Sequence, residues 1–171
     1  MLINLTDYFK TPDKKDELLI RYEAESLDVE GRKFPVDPGE GLRMTVTNIG
    51  NGQVRLAAAG VIKITMPCDR CLSDVKVPID IDFDYTVIEP DGFNEIDDEQ
   101  SIFMDGYDLD CELILHNELI MGLPMKVLCK DDCKGLCPVC GRNRNEGECG
   151  CDTFVPDPRM AAIQDIFNAN K

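Results

Sequence analysis

The 171 residues carry 33 acidic against 18 basic side chains, a formal net charge of −15, together with 43% hydrophobic residues and nine cysteines. That balance speaks against broad, charge-driven binding of nucleic acid, while the apolar share suffices for one domain, or one domain with a small metal-bound appendage. The opening, MLINLTDYFK, lacks a basic stretch followed by an apolar run and no transmembrane stretch occurs later, so the expected compartment is a reducing cytoplasm in which thiolates bind metal instead of forming disulfides.

Thr6 to Phe9 offers a short turn of helix, followed by the polar loop Thr11-Pro12-Asp13. Glu17 to Leu27 (ELLIRYEAESL) is rich enough in apolar and aromatic residues to be a strand, and Gly31 with the Pro35/Pro38/Gly39 cluster punctuates the chain after it. Leu42, Met44 and Val46 alternate with Arg43, Thr45 and Thr47, and Gly50-Asn51-Gly52 turns this strand into a second one over 53–66. From Val75 to Val87 the alternation is cleanest. Val75, Val77, Ile79, Ile81, Phe83, Tyr85 and Val87 fall on one face, and Asp80, Asp82 and Asp84 lie among those on the other.

Pro78 has no N–H to give a ladder, which places this long strand at an edge, paired with 53–66 and with Cys68 and Cys71 at the joint. The acidic run 89–105 reads as a solvated loop and contains no calcium-loop register. A helix over about 108–122 comes next. It is capped by Asp108, with Asp110 and Glu112 in its first turn, Leu109, Leu113 and Ile120 at helical spacing, and Gly122-Leu123-Pro124 at its end. Asp157-Pro158 opens a last amphipathic helix bearing Met160, Ile163 and Phe167. The expected architecture is α+β. It comprises an antiparallel β-rich domain over 1–124 with one internal helix, a cysteine-rich zinc-knuckle segment over 125–155, and a C-terminal helix over 156–171 packing back on the domain.

Six of the nine cysteines fall between Cys129 and Cys151, spaced C-x3-C-x3-C-x2-C-x8-C-x-C, and Cys68-Asp69-Arg70-Cys71 lies upstream. Two cysteines two residues apart on a tight turn aim both sulfurs at one point, as a tetrahedral ion requires. Around Cys137-Pro138-Val139-Cys140-Gly141 the proline limits the backbone, and Gly141 can take the positive φ that turns amides back toward the sulfurs. Cys137, Cys140, Cys149 and Cys151 are close enough in sequence to fill one site unaided, site one. Cys68, Cys71, Cys129 and Cys133 would share a second ion, site two; the alternative for Cys68 and Cys71 is a pair of buried, inert thiols. Cys111 reads as a packed thiol. The only histidine, His116, reads as a surface or packed side chain rather than a distant ligand.

Charge is unevenly spread. Between Val75 and Glu112 stand thirteen Asp or Glu and one Lys, whereas Lys126, Lys130, Lys134, Arg142 and Arg144 face only Asp131 and Asp132 within their own stretch. Those five cations are the candidates for nucleic-acid contact. One histidine leaves little scope for a Ser-His-Asp or Cys-His system, and no G-x-S-x-G, P-loop or G-x-G-x-x-G motif occurs. A four-cysteine site has no open coordination position, so the metals, one or two zinc ions, read as structural and the chain as no enzyme.

Pro67-Cys68-Asp69-Arg70-Cys71-Leu72, then Leu123-Pro124-Met125, then Cys129-x3-Cys133-Lys134-Gly135-Leu136-Cys137-Pro138-Val139-Cys140-Gly141, then Asn145-Glu146 and Cys149-x-Cys151, and finally Asp157-Pro158-Arg159 succeed one another in order. In this the sequence resembles the YceD family of large ribosomal RNA subunit accumulation proteins. The resemblance implies a bacterial cytoplasmic protein without known enzymatic activity, needed for accumulation of large-subunit (23S) rRNA and acting in ribosome biogenesis or rRNA processing. It also implies that the two cysteine sites are separable, since some relatives keep only the first C-x-x-C. Arg144 stands where the family often has an apolar residue, which adds a charge to the island.

The leading expectation is a non-catalytic factor that meets precursor rRNA, or a ribosomal protein on it, through the basic metal segment, with no membrane and no small-molecule substrate. The alternatives are an acidic protein-interaction adaptor without RNA contact, and a rubredoxin-like iron electron carrier, against which Cys149-Gly150-Cys151 is the wrong second knuckle.

Overall fold

Strand β6, Gln53–Pro67, is the axis of a six-stranded sheet. The computed structural model describes residues 1–90 and 102–152, so the expected C-terminal helix and most of the acidic 89–105 run lie outside the described residues. Two units make up the chain, Met1–Pro67 with Asp74–Val127 and Cys68–Ser73 with Leu128–Lys171.

The first unit is antiparallel and β-rich. In chain order it holds β1 (Leu2–Asn4), α1 (Thr6–Lys10), β2 (Lys15–Ile20), β3 (Ser26–Val29), β4 (Arg32–Asp37) and β5 (Leu42–Gly50). After β6 come β7 (Asp74–Ile88), β8 (Met104–Asp105), β9 (Asp108–Asp110) and α2 (Cys111–Met121). β6 pairs with β7 along its whole length, from Gln53↔Ile88 to Pro67↔Asp74. Its other side is shared, with β5 along Gln53 to Ala58 and β4 at Lys63 and Ile64. Beyond these lie β2 on β5 and β3 on β4. Gly60 sits in the gap between the two partners, where a Cβ would fall 2.0 Å from Leu42 Cδ2, so a larger residue there would make the buried Leu42 side chain move.

The period-two patterns decide what is buried. Met44 and Val46 of β5, Val54, Leu56, Ile62 and Ile64 of β6, and Ile79, Ile81, Phe83 and Val87 of β7 line the core, while Asp80, Asp82 and Asp84 stay in water. Among the described residues β7 pairs with β6 alone, which accords with the edge position that Pro78 requires. Asn48 is buried, and its amide is satisfied by donating to the carbonyls of Tyr8 (2.7 Å) and Thr11 (2.8 Å).

Three expectations need correcting. Glu17 to Leu27 is not one strand: β2 stops at Ile20, β3 starts at Ser26, and they pair with different partners. Between them Tyr22 turns inward, and its hydroxyl meets Nδ1 of His116 at 3.0 Å. The internal helix starts at Cys111, because Asp108 to Asp110 pair with β1 as Leu2↔Asp110 to Asn4↔Asp108. Its cap is Asp110, whose carboxylate accepts from the amides of Glu112 (3.0 Å) and Leu113 (3.2 Å). Its buried residues are Cys111, Ile114, Leu115 and Leu119, so Leu113 and Ile120, expected at the core-facing spacing, are on the outside. The end of the 89–105 run is not loop either, since Phe103 is buried and Met104–Asp105 form β8.

The second unit is built differently. Among its described residues there is no helix and no regular strand, only tight turns and an isolated bridge between Leu136 and Asn143.

Candidate metal centres

Eight sulfurs of the second unit gather into two groups of four. Cys68, Cys71, Cys129 and Cys133 form one, Cys137, Cys140, Cys149 and Cys151 the other, and in each the four Sγ atoms lie within 4.8 Å of one another. A tetrahedral zinc with Zn–S near 2.3 Å needs sulfurs roughly 3.8 Å apart. Cys68 and Cys133 are 3.8 Å apart and Cys71 and Cys129 are 3.5 Å apart. The donor set, all thiolate and four in number, fits zinc, and the fourth ligand closes the position that a hydrolytic metal keeps open.

Site two is drawn from two distant stretches, each shaped by its own turn. In Cys68–Ser73, which joins β6 to β7, the Cys68 amide donates to Ser73 O (2.8 Å) and the Leu72 amide to Cys68 O (2.9 Å), with Leu72 at φ +61°. In the later stretch the Cys133 amide donates to Lys130 O at 3.1 Å. Arg70 joins the two: its Nη1 donates to Cys133 O (2.9 Å), and its own carbonyl accepts from the Leu136 amide (3.0 Å). Gly135, at φ +72°, makes that approach possible, because a Cβ there would lie 3.0 Å from the Arg70 carbonyl oxygen.

Site one is held by a knuckle. The Cys137 amide donates to Arg142 O (2.8 Å) and the Gly141 amide to Cys137 O (2.9 Å), with Gly141 at φ +72°. The two sites differ in cover. Cys68, Cys71 and Cys133 are buried, whereas in site one only Cys137 is, Cys140 being exposed and Cys149 and Cys151 half-buried.

Without an ion the thiols already divide into donors and acceptors. The amides of Cys140 and Val139 pull Cys137 down to about 6. For Cys68, burial pushes up, but the amides of Arg70, Cys71 and Cys129 outweigh it and the thiol also comes down to about 6. Ser73 lowers Cys71 through its hydroxyl and its amide. Cys129, hydrogen-bonded to Cys71, and Cys151, hydrogen-bonded to Cys140, are pushed up to about 12 and keep their protons. A dication would take the place of those shared protons.

Two residues matter here that motif spacing does not single out. One is Arg70, the strut between the two stretches of site two. The other is Asn145, inside the eight-residue loop of site one, whose Nδ2 donates to the Cys133 sulfur of site two at 3.3 Å. Its Oδ1 accepts from the Lys134 amide at 2.9 Å. The signals available in sequence, the polar run Asn143-Arg144-Asn145 and the place of Asn145-Glu146 among the residues that carry the resemblance, do not say which sulfur Asn145 serves.

Cys111 is fully buried in the first unit, and burial pushes its thiol up to about 12, as a packed thiol should be. His116 likewise belongs to the first unit, against Tyr22. Of the candidate nucleic-acid contacts, Lys126 falls in the first unit and Lys130, Lys134, Arg142 and Arg144 in the second, all exposed. Lys130 Nζ is 3.9 Å from Asp132. The first unit holds 25 acidic and 11 basic side chains, a formal −14, and the second 8 and 7, a formal −1. Four thiolates around each dication would leave a further formal charge of about −2 per site.

The family model for the large ribosomal RNA subunit accumulation protein YceD matches residues 57–167, well over half of the chain. Comparison with curated proteins and with solved structures gives no match.

Proposed function

The chain belongs to the YceD family of large ribosomal RNA subunit accumulation proteins, and from that premise we propose that it is a non-catalytic ribosome-assembly factor of the cytoplasm whose second unit is organised by two structural zinc ions. The observation that carries the reading is the pair of closed four-sulfur clusters within the matched residues. Site one would use Cys137, Cys140, Cys149 and Cys151, and site two Cys68, Cys71, Cys129 and Cys133. Bound zinc would supply cross-linking, fixing turns that have no apolar core of their own among the described residues. So held, Lys130, Lys134, Arg142 and Arg144, with Lys126, would meet the phosphates of precursor large-subunit rRNA. Because the second unit carries a formal −1 from its side chains, and about −5 once two four-thiolate zinc sites are counted, its cations would act by position rather than by net charge. Each phosphate contact would add about −0.7 to −0.9 to the salt slope of affinity.

Metal analysis of the purified chain tests the first half: two zinc ions, falling to one in Cys137→Ser/Cys140→Ser, is the expected result. One ion in both proteins refutes the division, and a red protein containing iron replaces the assembly factor by an electron carrier. Reversing Arg142 and Arg144 to Glu tests the second half and should abolish binding to precursor rRNA. Unchanged binding removes the cations as the contact.

A second reading is favoured by the formal −14 of the first unit. There the protein is an adaptor for a basic ribosomal protein and makes no RNA contact. Pull-downs after RNase treatment separate the two, since a protein partner persists and an rRNA-mediated one is lost.

A further inference from the structure

Strand β2 ends the sheet on one side: among the described residues it pairs with β5 alone. The Lys14 carbonyl accepts from the Asn48 amide of β5 at 2.9 Å. Backbone groups of a strand turn alternately to its two sides, so Asp16, Leu18 and Ile20 also give theirs to β5, while Lys15, Glu17, Leu19 and Arg21 turn theirs away. Such an outward row of N–H and C=O groups is a template for a further strand. The side chains alternate in step. Lys15, Glu17, Leu19, Arg21 and Glu23 are exposed, whereas Ile20 and Tyr22 are buried, so the pattern runs on past the last residue of β2.

The charges of that exposed row are complementary to themselves. Laid antiparallel on a second copy about Leu19, the row puts Lys15 opposite Glu23, Glu17 opposite Arg21, and Leu19 opposite its own counterpart. On the other face Leu18 then meets Ile20. A slip of two residues brings Lys15 against Arg21 in one direction and Glu17 against Glu23 in the other, so a single register is favoured. The bonds these side chains make within their own chain are easily exchanged. Glu17 is 3.8 Å from Arg43 with both side chains well exposed, and the N-terminal amine that meets Glu23 at 3.4 Å also has Glu112 at 3.6 Å. Exposed pairs of this kind contribute little.

We propose that the free edge of β2 docks on the same edge of a second copy of the chain, antiparallel, with the twofold axis through Leu19, so that the two sheets become continuous. The occupant is a second copy because the charge order that this edge matches is its own. The inference involves neither the zinc sites nor contact with rRNA, so it and the proposed function can each fail without the other. One strand from each copy makes a small interface, and the dimer is accordingly weak, forming at concentrations on the order of 100 μM.

Sedimentation velocity of the full chain over a dilution series tests this, and a passage from monomer to dimer is the expected result. Glu17→Lys and Arg21→Glu should each weaken the dimer about tenfold, because the twofold axis counts every reversal twice. An equimolar mixture of the two variants should restore it, since each reversed position then meets its opposite. Both side chains are exposed, so the melting temperature should stay where it was; Leu19→Lys, at 49% exposure, gives an independent variant that sets like charges across the axis. Amide hydrogen exchange at Glu17, Leu19 and Arg21 should slow only as the chain is concentrated. A monomer at every concentration, a dimer that neither reversal weakens, or variants that do not recover on mixing overturn the proposal. So does protection of these amides that is independent of concentration, which would mean that residues 91–101 or 153–171 of the same chain cover the edge.

Discussion

Asn145 belongs by sequence to the loop of one cysteine cluster and by hydrogen bonding to the other, since its amide donates to the Cys133 sulfur. A donor on a metal-bound thiolate offsets part of its negative charge and fixes its direction. Asn145→Ala should therefore weaken zinc at site two by about 10- to 100-fold while site one keeps its affinity. Chelator competition on the two ions reads this out, and equal weakening of both would point to general loosening instead. The thiols add a pH signature. Cys68 and Cys137 are depressed from an ordinary 9.0 to about 6, so their preference for the charged form is fully present above pH 9 and is lost as pH falls through 6. Cys129 and Cys151, near 12, must lose a proton to bind metal at any neutral pH. Apparent zinc affinity should fall on acidification and do so more steeply below about pH 6, by about one further power of ten per pH unit and site. Isothermal titration across pH 5 to 8 would show a constant slope if the amides do not favour these two thiolates.

At the scale of the element, α2 shows how a local signal is settled by a partner. Asp108, Asp110 and Glu112 are spaced two apart, and Asp108 and Asp110 are both of a residue type that caps helices. Pairing of Asp108 to Asp110 with β1 makes the first of them strand and leaves the cap to the last. Asp110→Ala should then cost about 1 kcal/mol, and Asp108→Ala much less at the helix. Urea unfolding of both variants decides, and equal losses would mean that the helix end is not what Asp110 supports. The β6–β7 pair behaves differently. Its alternation is long enough to fix register and face without help, because a slip of one residue would put Asp80, Asp82 and Asp84 into the core and Ile79, Ile81 and Phe83 into water.

Over the whole molecule the two units rest on different forces. The hydrophobic core runs from Leu5 to Leu119 and contains no described residue of the second unit. The described part of the second unit has turns, one bridge and eight clustered sulfurs. Stripping metal with a strong chelator should accordingly abolish hydrogen-exchange protection in 68–73 and 128–152 and spare β5, β6 and α2. Loss of protection throughout would mean that the first unit does not stand on its own core.

Sequence sufficed where the determining interaction is local or strictly periodic: the β5–β6–β7 ladder, the edge position of Pro78, the knuckle at Cys137 to Gly141, the packed Cys111, and the family itself. It also proposed the grouping of the eight cysteines, by elimination for site two, and the structure brings those same sulfurs together. What it could not supply depends on residues far apart in the chain. Tyr22 meets His116 in the break after Ile20, the helix starts late because β1 claims Asp108 to Asp110, and Arg70 and Asn145 reach their partners across loops. Hydropathy along a chain records which side chains leave water, whereas a hydrogen bond between distant residues leaves no period behind, so only the folded chain decides it.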